Sequence, residues 1–385
     1  MPQRPKLRII ARSEVLPRAV LEQAASDLPF DLEFELIDSV KGLQRVVTTP
    51  ESFDVYHQWH TVDLIWTARA IQAIDLKRIR NGQLIKSQAV ARRSDARALG
   101  SVFNQLFVQP SGAIGPAPTD QIVMLPLQHG VDSFAFLPAA LKEWPEGTPH
   151  SWGWMLDKRL HGRVAIMSEP VLGMIEAALA VEASEGMSFA DVGNLSIEEI
   201  DIVADILLRK KKLGHFKTIW NNHYEAARSM HRGAVLQSMF SPALATLRSQ
   251  GVPVVSAVPQ EGFRGWHVDL CISAAAQGEQ LEAAYAYLNW WMNGKGGAIT
   301  TRQGYYFVLP DLVRPHLSGP EWDYWYAGKP AETVLTNPAG EPSIAPGDLR
   351  EGGSYLERMA RVRVWNAFMD EHTYLVRRWR EFLEA

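Results

Sequence analysis

A disulfide framework is excluded at once, because the chain carries a single cysteine, Cys271. That residue sits inside the apolar run Leu270–Ile272, where a buried, inert thiol is expected rather than a nucleophile. No apolar run reaches the ~18 residues that a membrane helix needs. The N-terminal MPQRPKLRIIARSEVLP is basic, but its apolar stretch is only Leu7–Ala11, broken by Arg8. A secretory leader needs an apolar stretch of about 7–15 residues. Positive charge is not in excess either: 39 Lys and Arg face 43 Asp and Glu, a net charge of −4. Nucleic-acid binders gather a basic face, so no nucleic-acid partner is expected. The one basic run, Arg209–Lys212, follows Ile202–Leu208 and reads as positive charge opposing the dipole at a helix C-terminus. Catalytic signatures are missing as well. GKGG at 294–297 lacks the spacing of a phosphate loop and reads as a helix-end turn. His57 and His60 are spaced H-x-x-H but lack a third ligand at fixed spacing. Neither a Gly-x-Ser-x-Gly elbow nor a paired-carboxylate spacing occurs, so the chain is read as a non-enzyme with no metal and no cofactor.

What is present is an ordinary globular composition, 46% hydrophobic and 21% charged, in 385 residues, long enough for two domains. Aromatics are plentiful, with 13 Trp, 10 Tyr and 14 Phe, and Trp59, Trp152, Trp154 and Trp266 fall in predicted turns. A tryptophan in a turn either caps a core or lines a binding surface. Lys6–Ala11, Asp31–Ile37 and Phe53–His57 read as strands, and Leu16–Leu28 and Asp63–Ile71 as helices. Strands alternating with helices imply an α/β class with a parallel sheet. Gln121–Leu127 reads as a crossover strand, and 151–166 as a helix, a glycine turn and a strand. Helices are predicted over 168–183, 195–212, Leu281–Met292 and Glu371–Leu383. Phe216–Ser273 is expected to run from a polar helix start through two strands and a turn around Trp266 to a buried strand, Leu270–Ser273. Residues 310–350, rich in Pro and Gly, are expected to be an extended wrapping segment.

Several stretches in order carry a family resemblance: FDVY before a polar loop, LHGRVAIMSEP before a helix, LSIEEIDIVADIL, RGAVLQSMF, EGFRGWHVDLCIS, LEAAYAYLNWWMN and QGYYFVLP. Their order and spacing, over most of the chain from Lys6, resemble a polyamine (spermidine/putrescine)-type extracellular solute-binding protein of an ABC importer. The resemblance implies a two-lobed periplasmic-binding-protein type II fold, each lobe a mixed or parallel sheet flanked by helices, hinged where the chain crosses over. The lobes are expected at 1–131 with 269–310 and at 132–268 with 311–385. It further implies a small-molecule solute captured by hinge closure, a membrane permease as partner, a monomer, and a periplasmic location if a leader has been removed. An enzyme, transferase-like, on the same scaffold or a non-transport sensor is the alternative.

Ligands of open α/β sheets lie beyond the carboxyl ends of the strands. Candidate solute-binding residues are therefore Arg12, Ser13, Gln58, Trp59 and His60 in the first lobe and Glu169 and Phe240 in the second, with Trp266, Asp269 and Tyr305 near the return crossovers. By position, the family's first-loop aromatic and hydroxyl fall on Arg12 and Ser13, a small polar position on Trp59, a tyrosine position on Thr61, an indole on Phe240, a later Trp on Trp266 and a late aromatic on Tyr305. The carboxylate that grips an amine in that family falls on Val268, and strand alternation turns the neighbouring Asp269 to the opposite face. Arg12 either clamps a ligand or pairs with Glu14, and Glu169 either binds or favours its helix N-terminus. Polyamine sites pair ammonium groups with carboxylates and aromatics. Weakened carboxylates and an added Arg12 leave an opine-like or amino-acid-like zwitterion open beside a polyamine-like amine.

Overall fold

The computed structural model describes residues 6–91 and 100–385. The chain separates into two compact units, Met1–Gly130 with Trp266–Ala327 and Pro338–Glu341, and Val131–Gly265 with Gly328–Asn337 and Pro342–Ala385. It passes from one unit to the other inside two long strands, Leu125–Phe136 and Phe263–Ser273, and again after Ala327, Asn337 and Glu341.

In the first unit, Lys6–Ala11 lies between Asp31–Leu36 and Val55–Gln58, parallel to both. Val55–Gln58 then pairs antiparallel with Asp269–Ile272. The central strand Val55–Gln58 is buried throughout and needs an apolar layer on each face. One layer comes from the helix Gly278–Trp291, whose Tyr287 hydroxyl is 2.9 Å from His57 Nε2. A small antiparallel sheet joins Ile74–Asp75, Gln121–Ile122, Phe107–Val108 and Ile114–Gly115. The helix predicted to reach Ile71 stops at Thr67, because Arg69 takes a left-handed turn (φ 56°) into the short strand Ile71–Gln72.

In the second unit, Val164–Met167 runs parallel to Phe216–Trp220 and to Leu236–Met239, and the last pairs antiparallel with Ser133–Phe136. The helix Pro170–Glu185 is buried over eleven successive residues, Val171–Val181, so it forms the middle of a core rather than one face of it. Ile197–Lys212 closes one side behind a capping box of Ser196 and Glu199, with Arg209–Lys212 in its last turn. The terminal helix His372–Glu384 sets Trp379 against Gly173.

Several expectations differ from what is observed. Phe216 opens a strand rather than a helix, since Phe216–Trp220 finds its partner in Val164–Met167. The last buried strand begins at Phe263, where it meets Val362–Trp365. Residues 151–160 form two 3-10 turns, and their Trp152 and Trp154 are core: Trp154 stacks on Trp144 at 4.1 Å and Trp152 donates to the Gly262 carbonyl. The segment expected to be extended contains the helices Pro310–Val313 and Gly319–Trp325. Residues 311–327 and 266–268, expected in the second lobe, pack with the first unit. Val313 and Phe307 both lie against Gly297, and Arg302 pairs with Glu321 at 2.6 Å. An apolar helix end and an ion pair hold the packing there, neither of which shows in local periodicity.

Candidate functional site

In the first unit, Lys6–Ala11 and Val55–Gln58 are parallel neighbours in register Ile9↔Val55 and Ile10↔Tyr56. Their C-terminal exits are therefore adjacent, and the next residues, Arg12 and Trp59, meet there. The Arg12 guanidinium carbon stands 4.0 Å over the Trp59 ring, a cation–π stack. Trp59 lies 6.3 Å from Trp266, and Trp266 meets Tyr305 edge-to-face at 4.4 Å. One guanidinium and three rings thus form a continuous row, all within a tenth of full burial.

Surrounding groups fix this row. Tyr305 Oη and Gln303 Nε2 each donate to the Glu14 carbonyl at 2.9 Å, anchoring the loop that carries Arg12 and Ser13. Glu14 Oε2 accepts from Arg12 Nε and from Ser13 Oγ, each at 3.4 Å. Gly130 gives Trp266 its room, since a Cβ there would stand 2.7 Å from Trp266 Cζ2. His60 follows Trp59 in the left-handed region (φ 46°), which turns the chain into the helix Val62–Thr67.

Gln58 and Asp269 are opposite each other in the strand pair and bond side chain to side chain. Asp269 Oδ2 is also 2.7 Å from His267 Nδ1, while Gln58 Oε1 accepts from the Thr61 amide at 2.8 Å. On the other face, burial pushes the His57 imidazole down to about 3. Burial, with help from the Asp269 charge, pushes the Cys271 thiol up, so no nucleophile is available there.

The second unit shows the same logic with other residues. Ser168 and Glu169 follow Val164–Met167, Asn221 follows Phe216–Trp220, and Phe240 follows Leu236–Met239. Glu169 caps the helix Pro170–Glu185, its carboxylate accepting from the Leu172 amide at 2.6 Å. Phe240 meets Trp220 edge-to-face at 5.0 Å. Behind them, buried Arg264 holds Glu176 at 2.9 Å, Asn366 at 3.0 Å and Asp132 at 3.2 Å. Burial raises the Glu176 carboxyl, and the Arg264 charge opposes that rise.

The first unit therefore brings together Arg12, Ser13, Gln58, Trp59, His60, Trp266, Asp269 and Tyr305, and the second holds Glu169 and Phe240. Sequence reasoning offered Glu14 only as a partner for Arg12 and passed over Gly130, His267 and Gln303. His267 was within reach, because residues two apart on a strand share a face and Asp269 was already singled out. Gly130 and Gln303 leave no local signal, since their roles depend on rings far along the chain.

No protein-family model matches the chain, and no curated protein matches it. Solved structures do. A spermidine/putrescine ABC transporter substrate-binding protein from Streptococcus pneumoniae superposes with a TM-score of 0.62 at 12% identity, covering 98% of this chain and 99% of that one. An ABC transporter substrate-binding protein from Bradyrhizobium japonicum USDA 110 gives 0.61 at 17% over 98% and 99%. The periplasmic binding protein AgtB from A. tumefaciens R10, in complex with agropinic acid, gives 0.63 at 11% over the whole of both chains. At such identities the likeness establishes the fold, and this chain has the two-lobed periplasmic-binding-protein fold.

Proposed function

We propose that the chain is the solute-binding component of an ABC importer, taking up a small polar solute by hinge closure of its two lobes and delivering it to a membrane permease. The observation that carries this reading is the row Arg12, Trp59, Trp266 and Tyr305 at the carboxyl ends of parallel strands. It is a stacking surface with one charged end, held by second contacts from Gln303 and Gly130. Glu169 and Phe240 take the corresponding strand-end positions in the second unit. Structures of like fold include one bound to agropinic acid and one described as a GABA receptor, so opine-like and amino-acid-like solutes stand beside polyamines as candidates. A monomer at work outside the cytoplasmic membrane suits this role. Among the described residues no helix is long and apolar enough to cross a membrane.

Thermal melting of the purified chain with amines, amino acids, opines and sugar acids tests the reading. A solute that binds only the folded state stabilises it by about 2.7 kcal/mol at a hundred times its Kd. A saturable rise in Tm with one solute class is expected, and no rise with any solute would overturn the proposal.

A further inference from the structure

We infer that one edge of the second unit docks on an anionic lipid surface, through six exposed cations and Leu213. The inference goes beyond the solute-binding reading and uses none of the residues on which that reading rests. Val164–Met167 lies between Phe216–Trp220 and Leu236–Met239 and runs parallel to both, so the three strands start on one edge of the sheet. Three turns lead into them and touch along that edge. The Gly162 amide donates to the His215 carbonyl at 2.9 Å, and the Val235 amide to the Arg163 carbonyl at 2.8 Å. Lys210 Nζ reaches the Leu156 carbonyl at 2.6 Å, and a Cβ at Gly233 would stand 3.9 Å from Lys217 Cε. The helices Ile197–Lys212 and His223–His231 end there as well. A strand spacing of ~4.8 Å sets the three starts within about 10 Å, close to the ~8 Å Debye length of physiological salt. Charges in these turns therefore act as one field.

The sign of that field is positive. From Leu207 to Gly233 the chain carries seven Lys and Arg and a single acid, Glu225, although its net charge is −4. Glu225 stands at the far end of its helix, bonded to the Asn221 amide. Lys158, Arg209, Lys212, Lys217, Arg228 and Arg232 are all exposed, and none makes an ion pair among the described residues. The acids beside them are taken, since Asp157 holds Arg159 and Glu143 holds Arg163, each at 2.6 Å. Opposing the dipoles of two helix ends calls for about one positive charge in all, half a unit at each. Lys158 and Lys217 lie outside both helices, so the surplus has another use. Leu213 says which. It is 72% exposed, and its helix end is closed by backbone alone, with the Gly214 and His215 amides on the Lys211 and Lys210 carbonyls. A lone exposed leucine is ordinary, but one set between Lys212 and Lys217 matches a surface with phosphates outside and acyl chains beneath. Each cation close to an anionic bilayer is worth about a fivefold gain in binding.

The experiment is co-sedimentation of the full chain with vesicles of phosphatidylcholine, with and without phosphatidylglycerol as about a third of the lipid. Binding is expected only where phosphatidylglycerol is present, and should fall roughly tenfold or more between low salt and about 0.5 M. Lys212→Glu with Lys217→Glu should weaken it by roughly 100-fold. Arg18→Glu with Lys41→Glu, an equal change of charge on exposed side chains of the first unit, should shift it by less than about threefold. Leu213→Ser should weaken vesicle binding several-fold and leave any binding to duplex DNA unchanged. Should the Lys212 and Lys217 reversal fail to fold by circular dichroism, the lipid and salt dependence of the unaltered chain and the Leu213→Ser result still decide. No binding to the anionic vesicles at low salt overturns the inference, as does equal binding to phosphatidylcholine alone. Equal losses in the two charge-reversed variants overturn it too, because bulk charge would then be the cause. Tighter binding to duplex DNA than to vesicles, indifferent to Leu213→Ser, replaces the lipid by a nucleic acid. Solute uptake is tested by the melting panel and stands or falls separately.

Discussion

Gly130 shows how much of the site is decided by what a residue lacks. Its missing Cβ is the space that the Trp266 indole occupies, and Trp266 links Trp59 to Tyr305. Gly130→Ala should therefore displace the indole, costing about 1–3 kcal/mol as overpacking does and weakening solute binding at the same time. Tryptophan fluorescence and calorimetry on one sample would show both effects. If binding fell with no loss of stability, the steric account would be wrong. His57 makes a different residue-scale prediction. Its folded pKa, near 3, lies below the ordinary 6.5, so the unfolded chain binds the extra proton first. This stability is fully present above pH ~6.5 and is lost as pH falls toward 3, roughly 3 kcal/mol between pH 7 and pH 4. Urea unfolding of the parent and of His57→Gln should differ in slope over that window. Parallel slopes would exclude His57 as the source.

At the scale of elements, Gly173 tests whether packing or propensity rules the helix Pro170–Glu185. In an exposed helix, Gly→Ala stabilises by about 1 kcal/mol. At Gly173 a Cβ would enter the Trp379 ring, 2.6 Å from Cη2, so the sign should reverse and Gly173→Ala should destabilise by roughly 2 kcal/mol. A rise in Tm would show that the terminal helix shifts freely. Elements of this kind also show what could be read from the chain alone. The capped helix Ile197–Lys212 and the strand Lys6–Ala11 were legible because caps, charge at helix ends and burial periodicity are local. The helices at 310–325 were not, because Pro310, Gly319 and Pro320 stand in first turns, where these residues start helices as readily as they break them. At the site, Arg12 and Trp59 were legible as strand-end residues. Their stacking was not, since it depends on the register between two strands whose partners are 46 residues apart in the chain.

At the scale of the whole molecule, each unit is organised around a buried polar centre on a crossing strand. In the second unit that centre is Arg264, fully buried between Glu176 and Asp132. Arg264→Met would leave two carboxylates without their cation, and removal of one partner of a buried pair costs about 3–5 kcal/mol. Differential scanning calorimetry should show the transition of Val131–Gly265 and its attached segments move down. A shift below about 1 kcal/mol, the usual worth of an exposed pair, would mean that the carboxylates are held neutral instead.

The placement of the crossing strands has a consequence for the newborn chain. Val55–Gln58 emerges early, but its antiparallel neighbour lies at Asp269–Ile272, and the first unit is not complete until the chain has passed Glu341. At about 5–20 residues per second, the ribosome takes roughly 10–40 s to travel from Gln58 to Ile272. Throughout that interval one edge of a strand that ends up fully buried has no partner, which is the geometry that invites pairing with another chain. The second unit in turn needs the strand Val362–Trp365 and the terminal helix His372–Glu384, so it is completed only when the last residues of the chain emerge.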